Sequence, residues 1–118
     1  MVDPAALAIS PGNETHLHGF STAMIGNDGV ARPMYLHPSP EFAMKKLLVG
    51  GLPRIFQIAR VFRNNERSVT HHPEFSMLEW YRVGASYRDL MDDTEGLFAA
   101  TAAAIGREAP ACSRLTVA

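Results

Sequence analysis

The chain has 118 residues, 47% hydrophobic and 19% charged, with 11 Lys+Arg against 12 Asp+Glu and a formal charge of −1. That balance excludes a disordered, collagenous or coiled-coil chain, and no basic field announces a nucleic-acid partner. The single cysteine, Cys112, excludes an intramolecular disulfide framework and a cysteine-built zinc site, and it fits a reducing, cytoplasmic setting. No apolar run approaches the ~20 residues of a membrane span, and the opening MVDPAALAIS lacks the basic start and long apolar core of a signal peptide.

Residues 1–33 are broken up by Pro4, Pro11, Gly12, Gly19, Gly26, Gly29 and Pro33, leaving room for two or three short strands. Asn27-Asp28-Gly29 is a turn signal, because Asn and Gly tolerate positive φ. Met34–His37 reads as a brief strand. Ser39-Pro40-Glu41 then opens a helix: Ser caps, Pro suits the first helical position, and a carboxylate favours the first turn. The helix runs on through Val49 and stops at Gly50-Gly51.

Arg54–Arg63 (RIFQIARVFR), rich in β-branched and aromatic residues, is expected to be a strand, and Glu74–Arg82 (EFSMLEWYR) a second one. Together they predict a hairpin whose connection, Asn64–Pro73, is longer than the usual two to five residues, the kind of loop that often carries function. Ser86 to Ile105 predicts an alanine-rich helix ended by Gly106, followed by a loosely attached tail, Arg107–Ala118. The chain closes on Leu115-Thr116-Val117-Ala118 with no terminator, as a fragment would.

Period-two alternation sorts the hairpin into two faces. Phe56, Ile58, Phe62, Leu78 and Trp80 form an apolar side expected to pack under helices. The other side collects Gln57, Arg63, Phe75, Glu79 and Tyr81. Charged groups inside strands are costly unless paired or facing a solvated cleft. Arg63 at the strand end can hold a phosphate bidentately. Phe75 can stack on a purine. Glu79 with Tyr81 can receive an ammonium group, and Glu41 offers a carboxylate for a second amine. Each residue also has a plainer role: Arg63 as a strand-end charge, Phe75 as core, Glu79 and Tyr81 as a solvated face, Glu41 as a helix-start carboxylate. His71 and His72, adjacent in extended chain, point apart and predict no metal site. His16 and His18 read as the exposed side of a strand.

Phe62-Arg63 and His71-His72-Pro73-Glu74-Phe75-Ser76-Met77-Leu78-Glu79-Trp80-Tyr81 resemble motif 2 of the class II aminoacyl-tRNA synthetases in its lysyl form. Ser39-Pro40-Glu41-Phe42-Ala43-Met44-Lys45 resembles the same subclass, and Glu41 lies 22 residues before Arg63, as the subclass has it. Ser10-Pro11-Gly12, His16-Leu17-His18 and Glu79-Trp80-Tyr81-Arg82 are similar to the lysyl-tRNA-synthetase-like ligases that modify elongation factor P.

The resemblance implies an α/β (α+β) fold: a partial class II antiparallel sheet flanked by helices, incomplete at both ends. Residues 1–118 would be part of one catalytic domain, with motif 2 at 62–81. It implies an ATP-dependent ligase that joins lysine or (R)-β-lysine to AMP as an adenylate and passes it to a lysine of elongation factor P. A lysyl-tRNA synthetase serving lysine tRNA, a non-catalytic paralogue binding a nucleotide or a partner, and an orphan fragment whose exposed apolar faces aggregate or pair with themselves are the alternatives.

Arg63 would grip the α-phosphate and act in catalysis. Asn65, Glu66, His71 and Phe75 would complete the ATP contacts, with Phe75 on adenine and His71 near the β- and γ-phosphates. Glu79 and Tyr81 would bind the side-chain amine and Glu41 the other amine. Position 65 is Asn where the family often has Glu, which here follows at 66, and Thr70 stands where lysyl-tRNA synthetases usually have Arg. Motif 3 is absent, and the carboxylates that hold magnesium beside ATP are expected outside this segment. The 118 residues alone are therefore expected to make no adenylate, and the full-length protein to be a homodimer.

Overall fold

The computed structural model describes residues 1–10, 12 and 16–115. Pro11 of the Ser10-Pro11-Gly12 feature and the closing residues 116–118 lie outside the described residues. The chain divides into two compact units, Met1–Val83 and Gly84–Ala118.

In the first unit, β1 (Leu7–Ala8), β2 (Phe20–Ile25) and β3 (Ala31–Leu36) form an antiparallel sheet in the order β1-β3-β2. The expected turn joins β2 to β3: Gly29 sits at φ 72°, and Gly26 N–H reaches the Val30 carbonyl at 3.1 Å. The Asp28 carboxylate accepts Val30 N–H and pairs with Arg32, whose guanidinium holds the Asp28 pKa below its ordinary value. Pro33 falls inside β3, a position normally closed to a residue without N–H. It is tolerated because β1 pairs only with Tyr35 and Leu36, leaving that stretch of β3 open on one edge.

Helix α1 (Glu41–Val49) lies against β4 (Arg54–Phe62), and β4 pairs antiparallel with β5 (Glu74–Arg82) over nine residues. The helix ends at Gly50, and Gly51 takes φ 98°, a left-handed turn that suits glycine. Met44 on α1 and Val61 on β4 are fully buried, and Ile55 and Ala59 nearly so. Burying a side chain such as Met44 contributes about 1.5–3 kcal/mol. His37 ties the two sheets together. Its N–H donates to Ala6, its carbonyl accepts Phe62 N–H, and its Nε2–H donates to the Arg60 carbonyl at 2.8 Å.

The apolar side of the hairpin is not the covered one. Phe56, Ile58 and Leu78 are 44%, 64% and 37% exposed, whereas Ile55, Gln57, Ala59 and Val61 on the other face are buried. The side carrying Gln57 is therefore the one this unit builds its interior on, because α1 and the segment around His37 pack there.

In the second unit, α2 (Tyr87–Ala104) begins with a full capping box: Ser86 Oγ accepts Asp89 N–H while the Asp89 carboxylate accepts Ser86 N–H. It ends at Ile105, with Gly106 at φ 67°. The tail after it is held rather than loose. Arg114 donates to Glu95 at 2.7 and 2.8 Å and to Asp92 at 2.5 Å. Among the described residues no helix is long and apolar enough to cross a membrane.

Candidate functional site

β4 and β5 place the predicted residues through their register. Gln57 stands opposite Glu79, Ile55 opposite Tyr81 and Val61 opposite Phe75, all on the covered face. Phe75 and Glu79 are four residues apart on β5, which separates them by about 13 Å along the strand. The site therefore has two ends.

At one end, Arg63 follows directly on β4. Its N–H donates to the Pro73 carbonyl at 2.8 Å and its Nε–H to the Pro38 carbonyl at 3.2 Å. The guanidinium carbon lies 5.4 Å from the centroid of the Phe75 ring, a cation–π contact. Glu66 approaches Arg63 at 4.0 Å. Asn64 N–H donates to the His18 carbonyl at 2.7 Å, so His18 forms a single bridge to the loop rather than part of a strand. Asn65 takes φ 61°, a left-handed conformation that Asn tolerates. His71 is turned to its own loop, with Nδ1 at 2.8 Å from Ser68 Oγ and 3.1 Å from Thr70 Oγ1. The structure thus brings Arg63, Glu66 and Phe75 together and leaves the His71 ring in local bonds.

At the other end, Tyr81 O–H donates to Glu79 Oε1 and Ser39 Oγ–H donates to Glu79 Oε2 at 3.0 Å. Ser39 Oγ also accepts Glu41 N–H at 3.1 Å, so the cap residue satisfies the helix end and the carboxylate at once. Pro40, rather than Ser39, occupies the capping position itself. Glu79 is held by two neutral donors, with no cation within ion-pair distance among the described residues. Its charge is fixed but not neutralised. The Tyr81 phenol is pushed well above its ordinary pKa of 10.0, by burial first, then by its hydrogen bond to Glu79, then by the charges of Glu79 and Glu41. Glu41 therefore bears on the same spot from α1, where Lys45 pairs with it. Gln57 is 3% exposed; its Nε2 reaches Asp3 at 3.4 Å and its Oε1 is buried without a partner.

Ser39, read from the sequence as a helix cap, and Lys45 are site neighbours to which the sequence reading gives no site role. The Glu41–Lys45 spacing was a visible signal, an i,i+4 pair with Glu on the N-terminal side. The Ser39–Glu79 bond spans forty residues and leaves no local trace.

The family of class II tRNA synthetases (D, K and N) matches residues 13–116 of the chain. The chain belongs to this family. It is 46% identical over 96 residues to the elongation factor P–(R)-beta-lysine ligase of Vibrio atlanticus, an alignment covering 80% of this chain and 29% of that protein. The Vibrio vulnificus protein of the same name is 46% identical over 98 residues, 81% of this chain and 30% of its own. The lysine–tRNA ligase of Psychrobacter sp. is 53% identical over 66 residues, 56% of this chain and 13% of its own length. This class II chain thus spans less than a third of the length of the curated relatives it matches.

Proposed function

We propose that this chain forms part of the catalytic domain of an ATP-dependent ligase that activates lysine or (R)-β-lysine and transfers it to a lysine of elongation factor P. The observation that carries the reading is the Glu79 carboxylate, fixed by the Tyr81 and Ser39 hydroxyls and in no ion pair among the described residues, on the same strand face as the Arg63–Phe75 stack. An anion held in place by neutral hydroxyls is a seat for an ammonium group. A guanidinium whose inner nitrogen is already bonded, standing over an aromatic ring, is a seat for a phosphate beside a purine.

In the reaction, a carboxylate oxygen of the amino acid attacks the α-phosphorus of ATP, the bond to the bridging oxygen breaks, and pyrophosphate leaves. Arg63 stabilises the charge that builds on the α-phosphate oxygens, Phe75 stacks on adenine, and Glu66 and Asn65 border the nucleotide. Glu79 and Tyr81 hold the side-chain amine and Glu41 the other. His71 lines the approach of the outer phosphates. The described residues do not fit a magnesium site. Glu41, Glu66 and Glu79 are engaged by Lys45, Arg63 and the Ser39–Tyr81 pair, and no three candidate ligands come together.

The identities to proteins named for elongation factor P, over four fifths of the chain, favour that acceptor. The higher identity to lysine–tRNA ligases over a shorter stretch supports a second reading in which lysine tRNA is the acceptor. The test is a chimera in which residues 13–116 replace the matching segment of the Vibrio vulnificus ligase. Lysine- or (R)-β-lysine-dependent ATP–pyrophosphate exchange and labelling of elongation factor P are expected. Exchange without labelling of that protein, but with charging of lysine tRNA, would move the assignment to the second reading, and no exchange would remove both.

A further inference from the structure

We propose that Lys45 is an internal occupant of the ammonium seat on Glu41, displaced when substrate brings its own amino group there, and so tunes how tightly the site holds a diamino acid. This rests on the reading of Glu41 and Glu79 as the two amine seats. The two carboxylates are treated differently by the fold. Among the described residues Glu79 is bonded by the Ser39 and Tyr81 hydroxyls, whereas Glu41 carries a full counter-ion, the Lys45 ammonium, one helical turn along α1.

Lys45 also senses Glu79. Its pKa is raised by the hydrogen bond and charge of Glu41 and further by the charge of Glu79. Its ammonium thus lies in the field of both anions, where a diamine would place its own groups. The pair is poised to part. The Lys45 side chain is 56% exposed and that of Glu41 36%, so more than half of the flexible four-carbon stem already meets water and little of it is uncovered when it swings away. Exposed i,i+4 pairs are weak. Lys45 is therefore a competitor that a ligand ammonium displaces at modest cost, while keeping Glu41 neutralised and ordered in its absence.

The experiment follows L-lysine and 6-aminohexanoate, which lacks the second amine, by NMR titration of the 118-residue chain and its Lys45→Met and Lys45→Gln variants. Thermal melts confirm folding. L-lysine is expected to bind the variants about two- to fivefold tighter than the unaltered chain, with 6-aminohexanoate unchanged. In the unaltered chain only L-lysine should move the Lys45 Nζ resonance, a readout that needs no variant. Equal tightening of both ligands would reveal a general field effect and overturn the proposal. So would unchanged or weaker L-lysine binding, or a Lys45 resonance that stays still while L-lysine shifts Glu79 and Tyr81. If neither ligand shifts Glu79 or Tyr81 in any form, the amine-seat reading itself fails and takes this inference with it.

Discussion

Ser39 Oγ donates to Glu79 Oε2 at 3.0 Å, joining residues forty apart in the chain. A hydrogen bond to a charged group contributes about 1.5–3 kcal/mol. Ser39→Ala is therefore expected to lower stability by about 1–2 kcal/mol in urea denaturation, with an unchanged m-value. It also removes the acceptor of Glu41 N–H, so Ser39→Thr, which keeps the hydroxyl, should recover most of the loss.

Tyr81 supplies a pH signature. Its phenol is raised in the folded chain, so folding favours the protonated form. That contribution is fully present below the ordinary phenol value of 10.0 and is lost as pH rises through the folded value. Absorbance titration near 295 nm should show one tyrosine ionising late, missing in Tyr81→Phe. In Glu79→Gln the transition should move back toward the ordinary value, incompletely, because burial, the largest cause, remains.

Arg63→Lys keeps the charge but loses the planar fork. In the Vibrio chimera, adenylate formation should fall about 10²-fold, mostly in kcat, with little change in melting temperature. Equal activity would show that the guanidinium has no phosphate to grip.

Met44 is fully buried between α1 and β4. Met44→Ala should cost about 2–5 kcal/mol by denaturant titration, enough to unfold a marginal unit. Met44→Leu, of similar volume, should stay within about 1.5 kcal/mol.

Ile58, 64% exposed, stands beside exposed Phe56 on the bare side of the hairpin. Ile58→Lys should reduce self-association in light scattering while changing stability by no more than about 0.5 kcal/mol.

Much of the scaffold was legible. The bounds of β5 follow from its composition, α2 fills the stretch from Ser86 to Ile105, and the Asn27–Gly29 turn lies where Gly demands it. Alternation correctly grouped Gln57, Phe75, Glu79 and Tyr81, since register is a property of the backbone pleat. It could not tell which group would be covered. An apolar set reads as interior, yet Ile58 is bare and Gln57 enclosed, because α1 and His37 arrive on the polar side through contacts distant in sequence. The sequence hides the attachment of the tail for the opposite reason: Arg114 looks like any terminal charge until α2 presents Asp92 and Glu95 together. The place of His71 near the outer phosphates rests on the resemblance alone, while its bonds to Ser68 and Thr70 arise within the loop.

The backbone groups that receive Arg63 belong to two prolines, Pro38 and Pro73. Proline fixes φ, so the stretches that carry these acceptors have less main-chain freedom to lose. Pro73 takes the backbone N–H of Arg63, and Pro38 is the one that directs the guanidinium, through Nε. If Arg63 takes the phosphate proposed for it, that anion meets a fork already directed by the fold, with Nη1 4.0 Å from the Glu66 carboxylate, and little reorganisation is left to slow the encounter.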